Sequence, residues 1–264
     1  MNNIPVVILA GGTGTRLREM TELIPKPLIP IGGKPMIWHI MKLYSHYGFH
    51  KFILALGHKQ EQFKLYFHNY DIINYDTLIS TAQWIIKPPK ILEQRKEQWH
   101  VLLVDTGEHT LKEGRIAQIG KYIDEDTFLL TYGDGIGNID INALLSFHIR
   151  QNKMVTVTGI SPVSRFGELK HQSGEVYSFK EKPTEDGCLT SAGFFVCNKK
   201  ILNYLVDDGL SDFEATLGST IVPMKELGVF EHKGFWRGMD TLKDMEELRD
   251  AWNTGRAPWK VWKE

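Results

Sequence analysis

The chain has 264 residues, 42% hydrophobic and 24% charged, with a formal net charge of −1. That length allows one large α/β domain with a substantial core, while the near-neutral balance excludes the broad basic footprint of a nucleic-acid or anionic-membrane binder. No apolar run approaches the roughly 18 residues of a membrane span, no basic-then-apolar leader opens the chain, and two cysteines, Cys188 and Cys197, with no Cys-x-x-Cys neighbour give neither a disulfide framework nor a zinc site; the expected location is the cytoplasm.

In chain order, Val6-Val7-Ile8-Leu9 predicts a buried strand of a parallel sheet. It runs into Ala10-Gly11-Gly12-Thr13-Gly14-Thr15-Arg16, with three glycines in four positions. Bare main chain there lets backbone N–H groups gather round an anion, and Arg16 adds a fork of donors matched to phosphate oxygens. The pattern is neither a Walker A loop, which needs Gly-Lys-Ser/Thr, nor a dinucleotide fingerprint, since Leu17 stands where the third glycine belongs. Pro35 to Tyr44 reads as a helix with Gly48 as its stop, Phe52 to Leu56 as a second strand ending at Gly57, and Gln60 to Phe67 as a helix. This alternation predicts right-handed βαβ units. Ligands of such sheets bind beyond the carboxyl ends of the strands, where the Gly11–Arg16 loop falls.

Segment 69–100, with Pro88-Pro89 and basic Lys87, Lys90, Arg95 and Lys96, predicts a solvated excursion or hairpin flap. Val101 to Val104 is the next strand, Ile116 to Ile123 a helix begun by Gly114-Arg115, and Phe128 to Tyr132 a strand followed by Gly133-Asp134-Gly135. Asp140 can cap a helix reaching about Arg150. From Met154 the pattern alternates, as in Val155-Thr156-Val157-Thr158, with Gly167, Gly174 and Gly187 between short strands, so mixed or antiparallel structure is expected. Gly193 to Cys197 reads as a strand, Lys199 to Val206 as a helix, and Leu242 to Trp252 as an amphipathic helix.

Among polar residues, Asp134 lies between two glycines at the end of an apolar strand, facing the crevice. It either coordinates magnesium on a triphosphate or satisfies its own turn; spacing alone leaves both open. Asp240 directly precedes the closing helix and could be its N-cap. His39, His58 and His148 lack ligand spacing. Trp259 and Trp262 read as an anchor onto the core or onto a neighbouring subunit.

Leu9-Ala10-Gly11-Gly12-x-Gly14-Thr15-Arg16-Leu17, then Lys26-Pro27 and Gly32-Gly33-Lys34-Pro35, resemble the signature of the sugar-1-phosphate nucleotidyltransferases, and most of all its cytidylyltransferase members. The likeness continues through Val104-Asp105-Thr106-Gly107, Tyr132-Gly133-Asp134-Gly135, Arg165-Phe166-Gly167, Phe179-Lys180-Glu181-Lys182-Pro183, Gly193-Phe194-Phe195-Val196, Gly234-Phe235-Trp236 and Met239-Asp240-Thr241, so it covers nearly the whole chain. It implies a Rossmann-like α/β nucleotide-diphospho-sugar transferase fold: a mixed, mostly parallel sheet flanked by helices, with a smaller β-rich sugar-binding part. One domain, 1–264, would divide into a nucleotide half, 1–150, and a sugar-phosphate half, 151–264.

The implied reaction is transfer of a cytidylyl group from CTP to α-D-glucose 1-phosphate with Mg2+, giving CDP-glucose and pyrophosphate in nucleotide-sugar synthesis for surface polysaccharide. Arg16, Lys26 and Asp134 would be catalytic, and Asp134 and Asp240 would hold the metal. Leu9 to Arg16, Lys26, Thr106, Gly114, Arg115 and Gly133 would bind the nucleotide, with Thr106 and Arg115 at the base. Glu181, Lys182 and Gly193 would bind the sugar phosphate, and a homo-oligomer is implied. Ile24 replaces a lysine expected before Lys26, Lys112-Glu113-Gly114-Arg115 stands where Gly-Gly-Arg would follow Thr106-Gly107, so that Glu113 takes the place of a glycine, and Ser191-Ala192 replaces an Asn-Gly pair. These departures leave open another nucleotide (dTTP or UTP), another sugar phosphate, or a non-catalytic sugar-nucleotide-binding regulatory subunit.

Overall fold

The computed structural model describes residues 3–14, 17–80, 85–87, 97–161, 168–172, 175–180 and 188–263. Seven strands form the central sheet: β1 (Val6–Leu9), β2 (Lys51–Leu56), β3 (His100–Asp105), β4 (Thr127–Tyr132), β5 (Val155–Ile160), β6 (Thr190–Asn198) and β7 (Leu227–His232), in the order β7-β5-β6-β4-β1-β2-β3. All run in one direction except β6, which is antiparallel to β4 and β5. Helices α1 (Met36–His46), α2 (Gln60–His68), α3 (Lys112–Ile119), α4 (Ile141–Gln151) and α5 (Leu242–Asn253) complete the main frame.

The unbroken apolar run of β1 is explained by burial on both faces. Val6 and Ile8 join a core with α1 and the C-terminal tryptophans; Val7 and Leu9 join another with Ile116, Ile119, Ile201 and Phe213. The chain lays down β2 and β3 on one side of β1, then crosses to place β4 on the other. That reversal opens a crevice past the carboxyl ends of β1 and β4, the general ligand position in such sheets.

The second half mostly extends the central sheet. It adds β5, β6 and β7 to the same sheet, and among the described residues its alternating stretch near Val176 forms the hairpin Glu168–Gln172 with Glu175–Lys180. The flap expected within 69–100 contains a helix, Tyr70–Asn74, and an antiparallel pair, Leu78–Ser80 with Ile85–Lys87; Lys90, Arg95 and Lys96 lie outside the described residues. The helix predicted over Ile116–Ile123 instead starts at Lys112 and gives way to a 3-10 turn at Gly120–Tyr122. The stretch after Lys199 is likewise a 3-10 helix, Lys199–Tyr204, not an α-helix. Asp140 caps α4 as expected, accepting from the Ala143 N–H at 2.9 Å.

Trp259 and Trp262 anchor onto the core, beside Trp38, His39 and Trp252. His39 Nε2 donates to the Ile31 carbonyl at 2.9 Å, while its Nδ1 accepts from the Trp259 indole at 3.4 Å. One donor and one acceptor is the bonding pattern of a neutral imidazole, and burial lowers its pKa to about 4. The turn between Pro30–Ile31 and Lys34–Pro35 passes so close to α5 that a Cβ on Gly32 would lie 1.6 Å from Trp252 Cδ1. Gly32 also has φ +58°, so both space and backbone require glycine there.

Candidate active site

The crevice holds a cavity of about 320 Å³ lined by Leu9, Ala10, Gly11, Gly12, Gly14, Lys26, Pro27, Thr110, Leu111, Lys112, Arg115, Tyr132, Gly133 and Asp134. Nine of these residues were singled out from the sequence. A side chain begun at Gly12 would meet no atom within 4 Å, so this part of the main chain stands bare. Such open backbone suits the close approach of a phosphate chain.

Lys26 lies between Pro25 and Pro27, which fix the backbone torsion on either side of it, in a 3-10 turn closed by a Leu28 N–H to Pro25 carbonyl bond of 2.8 Å. Its ammonium donates to Asp134 Oδ2 and to Asp240 Oδ1, each at 2.8 Å, although these partners lie 108 and 214 residues further along the chain. A short antiparallel pair closes that gap. Gly135–Gly137 pairs with Trp236–Gly238, and the Met239 N–H donates to the Asp134 carbonyl at 2.8 Å, which sets Asp240 beside Asp134. Lys26 is only 8% exposed, whereas both carboxylates are half-buried. Burial works to lower the lysine pKa, but the Asp134 and Asp240 charges and hydrogen bonds outweigh it and hold the ammonium above its ordinary range.

Asp240 does not cap α5. That place belongs to Thr241, whose hydroxyl accepts from the Asp244 N–H at 3.2 Å while the Asp244 carboxylate receives the Thr241 N–H at 2.9 Å, a reciprocal capping box. The Asp240 carboxylate is therefore directed to the crevice. Among the described residues no group of three or more His, Cys, Asp or Glu could hold a metal. Two neighbouring, half-open carboxylates nevertheless match magnesium, which takes one or two from protein and the rest from phosphate and water.

Arg115 lines the cavity but is 4% exposed. One terminal nitrogen donates to the Leu56 carbonyl (2.9 Å), Thr106 Oγ1 (2.7 Å) and the Gly107 carbonyl (2.9 Å); the other donates to the carbonyls of Gly11 (3.0 Å) and Glu108 (3.2 Å). This guanidinium knits together the ends of β1, β2 and β3. A Cβ on Gly11 would stand 2.2 Å from Arg115 Nη1, so Gly11 is needed for that approach as well as for any ligand. Thr106 is buried beneath Arg115, with its hydroxyl donating to the Leu56 carbonyl at 2.6 Å, and does not line the cavity. Gly114 lies within α3 against Gly209, and Gly193 packs on the Tyr132 ring.

Thr13 sits on the exposed part of the first loop, outside the cavity lining. Thr15, Arg16, Glu181 and Lys182 lie outside the described residues. Sequence reasoning missed Thr110, Leu111, Lys112 and Tyr132 as lining groups; Tyr132 is two positions before Asp134, and Lys112 adjoins Glu113, where the chain departs from the family pattern. The Lys112 ammonium pairs with Asp212 at 3.0 Å and Glu214 at 2.6 Å, and the Tyr132 hydroxyl donates to Glu214.

Comparison with known proteins places these features in a wider group. The Nucleotidyl transferase family model matches residues 5–252. The chain is 44% identical over 257 residues to the glucose-1-phosphate cytidylyltransferase of Salmonella typhi, covering 97% of this chain and 98% of that one. It is 43% identical over 257 residues to the protein of that name from Salmonella typhimurium, again covering 97% and 98%. Among solved structures, HddC of Yersinia pseudotuberculosis in complex with GMP-PN superposes with a TM-score of 0.64 at 22% identity, over 94% of this chain and 99% of that one, a likeness of fold. No helix among the described residues is long and apolar enough to cross a membrane.

Proposed function

Because the chain belongs to the nucleotidyl transferase family, we propose that it transfers the cytidylyl group of CTP to α-D-glucose 1-phosphate, forming CDP-glucose and pyrophosphate. The observation that carries the reaction is the buried Lys26 ammonium held between Asp134 and Asp240 beside a glycine-lined cavity. CTP and glucose 1-phosphate are taken from relatives that share 44% and 43% of the sequence.

An oxygen of the sugar phosphate attacks the α-phosphorus, and pyrophosphate leaves from the opposite side. No general base is required, because a phosphate monoester with a second pKa of about 6 is largely dianionic near neutral pH. The bare main chain at Gly12 admits the triphosphate. Lys26, fixed between two prolines, puts a point charge where negative charge develops, without reorganising as the reaction proceeds. Asp134 and Asp240 would hold magnesium, which supplies neutralising charge to the triphosphate and to its departing pyrophosphate. Arg16 would grip phosphate oxygens, and Lys182 and Glu181 would take the phosphate and hydroxyls of the sugar.

The test is pyrophosphate release from glucose 1-phosphate and magnesium with CTP, UTP, dTTP, ATP and GTP offered separately. Release with CTP is expected to dominate. Release with only another nucleotide would reassign the base, and silence with all five would overturn the reaction.

A further inference from the structure

The cavity has two charged clusters of the same form. One is Lys26 with Asp134 and Asp240; the other is Lys112 with Asp212 and Glu214. Tyr132 and Asp134, two residues apart, each belong to one of them. The reaction uses the first cluster and leaves the second without a role. Lys112 is the first residue of α3, where the helix macrodipole disfavours a positive charge. Asp212 and Glu214 overcome that penalty and hold the ammonium above its ordinary pKa despite burial.

The segment that carries these two acids is itself fastened to α3. The Leu111 N–H donates to the Gly209 carbonyl at 2.9 Å, and Glu113, 1% exposed, accepts the Val206 N–H at 2.8 Å and the Thr216 hydroxyl. Lys112 therefore has a built mount, and its ammonium stands 5.4 Å from the centre of the Tyr132 ring.

A nucleotide in this cavity would set its phosphates at the glycine and Lys26 side. Its base, the flat and least polar part, would lie at the side lined by Leu9, Leu111 and Tyr132, where Lys112 is the neighbouring cation. Arg115 is also in this wall, but both its terminal nitrogens already donate to four backbone carbonyls and to Thr106. Lys112 has three N–H donors and two carboxylate partners, which leaves one donor to give.

We propose that Lys112, mounted on Asp212 and Glu214, is the residue that selects the base, donating to the ring nitrogen N3 of a pyrimidine that carries no hydrogen there. Arg115 is a positioning residue that fixes the Gly11 backbone. Cytosine presents N3 and O2 as adjacent acceptors. Uracil and thymine present an N3–H, which an ammonium with no acceptor cannot satisfy, so they are rejected by an unmet donor as well as by a lost bond. This rests on the nucleotide reading of the cavity given above.

The experiment is calorimetric titration of CTP and of UTP into the full chain, wild type, Lys112→Gln and Lys112→Arg, with a thermal melt of each. Glutamine offers both a donor and an acceptor. Lys112→Gln is expected to lose about tenfold to a hundredfold in CTP affinity, as for one hydrogen bond to a charged group, while UTP affinity holds or rises. Lys112→Arg keeps the preference for CTP. An unchanged CTP-to-UTP ratio in a folded Lys112→Gln protein overturns the assignment and leaves the nucleotide site standing. Failure of the wild type to bind CTP or UTP overturns the site itself, and this inference with it. If Lys112→Gln does not fold, Lys112→Met decides: loss of the preference for CTP supports the role, and an unchanged CTP-to-UTP ratio overturns it.

Discussion

Lys26 and His39 are both buried titratable side chains, treated in opposite ways. Lys26 keeps its charge because Asp134 and Asp240 surround it, at 2.8 Å each. His39 gives up its charge, flanked by one carbonyl acceptor and one indole donor, and its pKa falls to about 4. Burial opposes the charged form in both places; what differs is whether opposite charge is supplied. The fold supplies it at the crevice, where the proposed reaction would bring phosphates. Against the tryptophans, packing alone is at stake, and a neutral ring serves.

Removing the charge at the crevice breaks this comparison most severely. Lys26→Ala is expected to slow turnover by about a hundredfold to a thousandfold, the ~3–4 kcal/mol typical of a lost transition-state donor. Steady-state pyrophosphate release measures it, and near-normal turnover would remove Lys26 from the mechanism.

Forcing a charge onto the other residue comes next. The folded-state pKa of His39, about 4, lies below its ordinary 6.5, so between those values the unfolded chain binds a proton there that the folded chain does not. Its contribution to stability is thus complete above pH 6.5 and is lost as pH falls towards 4, by about 3 kcal/mol in all. Denaturant titrations across that range should show a shallower loss in His39→Asn than in wild type; equal slopes would contradict the neutral assignment.

The smallest effect sharpens the packing side alone. Gly32→Ala drives a methyl group into Trp252 from a left-handed backbone position, at about 2 kcal/mol. Urea unfolding followed by tryptophan fluorescence would show the lowered midpoint, with CTP affinity retained.

Local pattern revealed much of this arrangement. The apolar run of β1, the glycines after it and the strand ending before Gly133-Asp134 were readable because each is a contiguous signal, and alternating strands and helices pointed to the carboxyl ends of the strands, where the cavity lies. The partnership of Asp134 with Asp240 was implied only by family likeness, because the short pair Gly135–Gly137 with Trp236–Gly238 that joins them leaves no periodic trace. Whether Asp240 caps α5 was open from the sequence, since Asp240 and Thr241 are both good N-caps and only the reciprocal bond of Thr241 to Asp244 decides between them. Arg115 looked like a donor awaiting a ligand, because a sequence does not show that five acceptors from three strand ends converge on it. Lys112 carried no signal of its own; Asp212 and Glu214, which pair with it, are about a hundred residues away.

The three-residue pairing that delivers Asp240 also bears on how the protein is made. A nascent chain that has emerged through Gly135 already possesses Lys26 and Asp134, and with them a cation facing one carboxylate. It lacks the second until residue 240 has left the ribosome and the Trp236–Gly238 strand has docked. The pairing of Lys26 with two carboxylates is thereby postponed until that strand has docked, and a product terminated before Asp240 would keep the glycine loop yet lack the second carboxylate.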